Sequence, residues 1–287
     1  MKVAWERLIR FIATDGRTLY GEPILSSPEV DLSTTTAETK LQAKVNVGSN
    51  IYNETGATRV TAEVVTVHKL LGLLTNEDVP ILRCVGLNYK THIQKTGWSP
   101  PPTPSIFFKP IIPKSAQDEQ ADYEGELCIV IGKDTKDVPN EEALDYVTAF
   151  TAGNDISSRK LQINRNVAGP IPQWGFSKGF DTFAPLGPCL VRRDVIGDES
   201  QLRLQTIIDG EIRQDTFISD LLFGCAELVS YFSTGTTLQR LIRANSRHGG
   251  NLGVGNGLKP PKFLQPGNRM EVKISQIGIL KNVVEFE

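Results

Sequence analysis

Apolar residues fall mostly in short runs broken by Gly, Pro, Asp and Asn, which predicts a mainly β protein with brief helices. Leu8 to Ala13 and Leu19 to Leu25 flank Asp15-Gly16-Arg17, a hairpin signal. Ser26 to Thr39 is polar and rich in Ser and Thr, and reads as loop. Val60 to Leu74 recovers apolar character and then meets Asn76-Glu77-Asp78-Val79-Pro80. That cluster marks the expected boundary between a small N-terminal domain, residues 1–75, and a larger one, residues 76–287.

Beyond it, Ile81 to Leu87 has the texture of a buried strand, and the prolines between Pro100 and Pro113 exclude a long regular element. Glu126 to Gly132 is a second strongly apolar strand. Residues 140–153 show helical and then extended spacing. Leu202 to Ile208 runs into Asp209-Gly210, a tight-turn pair, and Ala226 to Phe232 reads as a short helix. Arg269 to Ile274 and Ile277 to Val284 predict a terminal hairpin.

Composition narrows the function classes. With 287 residues, 39% of them hydrophobic and 22% charged, the chain can bury a substantial core. A net charge of −2 and a pI near 6.0, without a basic stripe, argue against nucleic acid as a partner. No apolar stretch approaches the roughly 20 residues of a membrane helix, and Met1 to Arg7 does not read as a signal peptide. Cys84, Cys128, Cys189 and Cys225 are dispersed with no C-x-x-C pair, so structural zinc is not expected. The expectation is a cytoplasmic chain with reduced thiols, in which the sequon Asn53-Glu54-Thr55 carries no weight.

The most informative stretch is Asp122-Tyr123-Glu124-Gly125-Glu126-Leu127. Read as one strand, it projects Asp122, Glu124 and Glu126 from one face, where three carboxylates repel one another unless water or a cation compensates. Gly125 leaves room for something to approach the backbone between the two glutamates. All-oxygen ligation selects Mg²⁺, Mn²⁺ or Ca²⁺, with Asp155 as a further ligand candidate. A solvated edge strand whose acids deter aggregation accounts for the same pattern.

Several motifs in order extend this picture: Val85-Gly86-Leu87-Asn88-Tyr89 with His92, Asp122 to Leu127, Asn154-Asp155 with Arg159 and Gln162, Lys178 to Asp181, Pro185-Leu186-Gly187-Pro188, and Ile277-Gly278 with Asn282-Val283-Val284. From about residue 81 to the end the chain thereby resembles the catalytic domain of the fumarylacetoacetate hydrolase family, and Trp5 to Pro23 resembles the small leading domain of many members. The resemblance implies a mixed β-sandwich/β-roll catalytic domain, a Mg²⁺-type cofactor and a small keto acid as substrate. It implies metal ligation by Glu124, Glu126 and Asp155, an oxyanion-stabilising Lys178, and substrate-carboxylate contacts from Arg159 and Gln162. His92 matches the family's general base, and members commonly form homodimers.

Two departures stand out. Lys95 occupies the position where the family usually carries a Glu paired with the histidine. A carboxylate orients an imidazole and raises its basicity, whereas an ammonium lowers it. After Thr237-Leu238-Gln239, residues 240–250 replace the usual Pro-Gly and Thr-Gly-Thr-Pro loop while keeping the register to Gly253 and Gly255. Ser246 or His248 could supply the lost hydroxyl's role, and Asn268 replaces a usual Asp. Gly175-Phe176-Ser177-Lys178-Gly179 satisfies G-x-S-x-G, but its proline-rich flanks do not suit a nucleophile elbow. The expected activity is hydrolysis of a C–C bond in an acylpyruvate-like or fumarylacetoacetate-like acid. Decarboxylation or keto–enol tautomerisation, or a relative that binds metal and ligand without turnover, are the alternatives.

Overall fold

The computed structural model describes residues 3–27, 31–52, 57–74, 82–86, 88–96, 99–108, 120–171, 174–180, 182–239, 243–246 and 254–286. The strands are β1 (Arg7–Ala13), β2 (Thr18–Pro23), β3 (Gln42–Val47), β4 (Arg59–Leu71), β5 (Leu82–Gly86), β6 (Ser105–Phe108), β7 (Ala121–Asp122) and β8 (Gly125–Ile131). They continue with β9 (Val147–Asn154), β10 (Ser157–Ser158), β11 (Leu186–Arg192), β12 (Arg203–Ile208), β13 (Glu211–Phe217), β14 (Arg243–Ser246), β15 (Arg269–Ile274) and β16 (Gly278–Val283). Helices are short: α1 (Lys90–Thr96), α2 (Arg159–Ile163), α3 (Arg165–Ala168), α4 (Trp174–Lys178), α5 (Arg193–Ile196) and α6 (Cys225–Ser233). The architecture is mainly β, as the residue pattern predicts.

Ten strands form one sheet in the order β2-β3-β4-β1-β11-β9-β8-β14-β5-β6, and β13-β12-β15-β16 form a second. Central β8 and β9 bury every residue. Leu127, Ile129 and Ile131 join Phe150 and Ala152 in the main core, while Val130 and Ala149 meet Trp5, Leu8 and Leu190 behind it. Both faces are covered, which is why these strands read as unbroken apolar runs. The second sheet instead alternates: Leu204, Thr206 and Ile208 of β12, and Met270, Val272 and Ile274 of β15, turn inward. Leu204, Val272 and Ile274 share the core with Leu127, so the two sheets pack as a sandwich.

The Asp209-Gly210 turn joins β12 to β13 with φ of 49° and 82°, the left-handed pair that a two-residue hairpin of this twist requires. β1 lies between β2 and β4, Arg10 facing Tyr20 on one edge and Leu71 on the other, and its first residues pair with β11, Leu8 opposite Leu190, so the strands before and after residue 75 share one sheet. No helix of the described residues is long and apolar enough to cross a membrane.

Two expectations change. The acidic stretch is not a single strand: β7 ends at Asp122, β8 begins at Gly125, and Tyr123 and Glu124 bridge them. The replaced window is not wholly a loop, because Arg243–Ser246 enters the sheet as β14, antiparallel to β8 and parallel to β5. The rest of that window, including His248, lies outside the described residues.

Candidate active site

The site is built where β8 begins and β9 ends. Their register places Gly125 opposite Asn154 and Glu126 opposite Gly153. One step further, Asp155 N donates to Glu124 O at 2.7 Å, and Glu124 N donates to the Asn154 side chain at 3.0 Å. β10 continues the ladder with Ser157 opposite Asp122. This pairing draws Asp122, Glu124, Glu126 and Asp155 together, and all four are wholly buried.

Two cations enter the same interior. Arg159, at the start of α2, donates through Nε to Asp122 Oδ2 at 2.8 Å, and its other nitrogens reach Glu124 Oε1 and Gln162 Oε1. Lys178, at the end of α4, lies 3.1 Å from both Glu124 Oε2 and Asp155 Oδ1 and also donates to Ser157 Oγ. These six are the only Asp, Glu, Lys or Arg side chains buried among the described residues. Among the described residues, four buried acids against two buried bases leave a formal surplus of two negative charges. Burial pushes the Asp122 carboxyl up from its ordinary value, against the pull of Arg159. Burial alone would lower Arg159, but the Glu124 and Asp122 carboxylates more than offset it and hold the guanidinium above its usual value.

The donor set suits a hard divalent ion. Glu124, Glu126 and Asp155 offer only oxygens, and Glu126 Oε2 and Asp155 Oδ2 are buried oxygens that accept no hydrogen bond among the described residues. A doubly positive ion matches the charge surplus. Among the described residues no three Asp, Glu, His or Cys side chains already stand as a coordination sphere. Instead the Lys178 ammonium bridges Glu124 and Asp155.

Of the residues expected from sequence, Glu124, Asp155, Arg159, Gln162 and Lys178 are linked into one network, with Glu126 buried in the ladder beside them. Arg159 is held within this network. Its fork is committed to Asp122, Glu124 and Gln162, leaving the buried Gln162 Nε2, which has no partner among the described residues, as the amide donor available nearby. His92 sits in α1, whose side chain at that position, like that of Lys95, lies outside the described residues. Ser177 is buried in α4, so the G-x-S-x-G stretch forms no strand-turn-helix elbow. Asn268 ties a turn to Asp209 at 2.7 Å.

Sequence reasoning missed several supports. Asp122 accepts from the backbone amides of Gly255 at 2.7 Å and Asn256 at 3.2 Å, anchoring the chain just beyond the replaced window. Asn88 exchanges two hydrogen bonds with Phe223, and Asp220 accepts from Thr91, so the start of α1 is pinned from a distant segment. Such pairings separate residues by more than a hundred positions, and only a motif could have signalled them.

The profile of the family described as "Fumarylacetoacetate (FAA) hydrolase C-terminal" matches residues 82–285. A caffeoylpyruvate hydrolase of Neonothopanus nambi is 36% identical over 301 residues, covering 99% of this chain and 94% of that protein. An oxaloacetate tautomerase of Bacillus subtilis (strain 168) is 36% identical over 215 residues, covering 70% of this chain and 68% of that one. A crystal structure of fumarylpyruvate hydrolase from Pseudomonas aeruginosa in complex with Mn²⁺ and pyruvate superposes with a TM-score of 0.61 at 30% identity, covering 73% of this chain and 91% of that chain.

Proposed function

The chain belongs to the fumarylacetoacetate hydrolase family of enzymes, and on that premise we propose that it hydrolyses a C–C bond in a small acylpyruvate-like keto acid with the help of a divalent ion. The observation that carries this reading is the buried surplus of two negative charges among Asp122, Glu124, Glu126, Asp155, Arg159 and Lys178. Glu124, Glu126 and Asp155 would hold the ion, with Mg²⁺ or Mn²⁺ as first choices. When bound, such an ion supplies Lewis-acid polarisation of the keto-acid oxygens.

The chain's own residues do the rest. Lys178 sits against Glu124 and Asp155, placed to donate toward negative charge that develops on a substrate oxygen beside them. Gln162 Nε2 offers a buried donor to the substrate carboxylate. Arg159 holds Asp122 and Glu124 in place. His92 moves the proton of the attacking water. Residues 1–75 are a small leading domain sharing the sheet, and the assembly is a homodimer.

One observation favours a second reading. With Lys95 where a carboxylate partner for His92 is expected, water activation is weakened, and keto–enol tautomerisation needs no activated water. The oxaloacetate tautomerase relative is consistent with that chemistry. A panel of 2,4-diketo acids and oxaloacetate, assayed with EDTA and then with added Mg²⁺ or Mn²⁺, separates the two. Metal-restored cleavage of a diketo acid supports hydrolysis, and metal-restored enol conversion without cleavage supports tautomerisation. Ligand binding without either turnover marks a non-catalytic relative and overturns both.

A further inference from the structure

We infer that Gln214 is a positioning residue for the acid pair Glu124 and Glu126, acting through the backbone of Gly125. The inference rests on the metal reading above and extends it to a residue in the second sheet.

In a strand, successive residues point their backbone N–H and C=O groups to opposite edges. Glu124 turns its pair toward Asn154 and Asp155. Gly125 therefore turns its pair the other way, toward the edge where the β14 ladder reaches only as far as Leu127. The Gln214 side chain takes that place. Gly125 N donates to Gln214 Oε1 at 3.1 Å, and Gln214 Nε2 donates to Gly125 O at 3.1 Å. The primary amide thus presents one donor and one acceptor, as the peptide of a neighbouring strand would. Thr206 Oγ1 donates to the same Oε1 at 2.7 Å and fixes which way the amide faces. Gln214 is buried in β13 opposite Thr206, so no water competes for these bonds.

The contact is close by construction. A Cβ placed on Gly125 would stand 2.1 Å from Thr206 Oγ1, 3.1 Å from Gln214 Oε1 and 3.2 Å from Val272 Cγ1. The second sheet therefore presses on the side of the chain to which a side chain at Gly125 would point. Gln214 and Thr206 clamp the single residue joining Glu124 to Glu126, and so set the angle between the two carboxylates. The room that Gly125 leaves is filled by these neighbours.

The test is calorimetric titration of the full chain with Mn²⁺, alongside thermal melts, for the unmodified protein, Gln214→Leu, Thr206→Val and the control Gln205→Leu on the same sheet. Outer-shell supports of metal ligands typically contribute about 10–100-fold in affinity. Gln214→Leu should weaken Mn²⁺ binding by that factor while the folded protein persists. Thr206→Val, which loses a single hydrogen bond, should weaken it about 5-fold, and Gln205→Leu should leave it unchanged. A purely structural role would lower the melting temperature but leave the affinity of the folded protein intact, and that result overturns the inference while the metal reading stands. If Gln214→Leu fails to fold, Thr206→Val decides, and unmodified affinity in that variant overturns the inference. Absence of Mn²⁺ binding by the unmodified protein overturns the metal reading and this inference with it.

Discussion

Lys178 Nζ lies 3.1 Å from Glu124 Oε2 with both side chains wholly buried, so this ammonium belongs to the interior charge balance and not to the surface. Its stem runs through the core to reach three oxygen-bearing partners, Glu124, Asp155 and Ser157. A lysine in this position pairs with two carboxylates in the resting protein.

Replacing it by a side chain of similar length without charge isolates that role. Lys178→Met leaves four buried acids facing one buried cation. The expected result is a loss of stability of roughly 3–5 kcal/mol, the usual effect of removing one partner from a buried ion pair. Saturating Mg²⁺ should recover part of it. Urea unfolding with and without Mg²⁺ checks this, and a variant as stable as the parent in EDTA contradicts the charge balance.

Arg159 makes a different prediction. Because its fork engages Asp122, Glu124 and Gln162 and not open space, Arg159→Lys should fail to restore the network. Turnover should fall by at least about 100-fold, with reduced thermal stability. If Arg159 acted only on a substrate carboxylate, KM would rise and the melting temperature would not move.

Gly125→Ala tests the clamp from the backbone side. The added methyl meets Thr206 Oγ1 at 2.1 Å, so the sheets must part or the strand must shift. Overpacking of this kind typically costs about 1–3 kcal/mol. Removing the obstacle with Thr206→Ala in the same chain should recover part of the loss, and a double variant no more stable than Gly125→Ala would refute the contact.

A surface pair gives the pH prediction. Asp31 and Lys281 meet at 2.6 Å, joining the N-terminal segment to β16. Burial raises the Asp31 carboxyl, but the hydrogen bonds from Lys281 and Ser33 prevail and hold it below its ordinary 3.8. A depressed acid stabilises the folded state above its unfolded value and loses that contribution as pH falls through the folded value. Asp31→Asn should therefore cost up to about 1 kcal/mol at pH 7, discounted for solvent screening. The difference from the parent should begin to shrink as pH falls below 3.8 and close only below the depressed folded-state value, where the acid is protonated in both states. Denaturant titrations across that window check the sign.

Much of this was legible in the chain. The unbroken apolar runs of β8 and β9, the Asp209-Gly210 turn and the hairpin of β15 and β16 each follow from local pattern, because local sterics and two-sided burial fix them. The acids at Glu124, Glu126 and Asp155 were legible as residue types that do not belong in a core. Partnership across the fold was not. Nothing local marks Arg243-Ala244-Asn245-Ser246 as a strand, and its pairing with β5 and β8 is imposed by those neighbours. Period-two alternation assumed a continuous strand through Glu124, whereas the chain breaks there to pass Asp155 and Arg159 across it. Gln214, in a half-exposed hairpin strand, carried no signal until Gly125 was seen against it.

The central claim is that Glu124, Glu126 and Asp155 together receive one divalent ion. The most direct test is the anomalous difference map of crystals grown with Mn²⁺. The account predicts a single strong peak per chain bounded by those three carboxylates, with Lys178 still beside Glu124 or Asp155, and its loss in Glu126→Gln. A map without a peak there, or a peak elsewhere that survives Glu126→Gln, would contradict it.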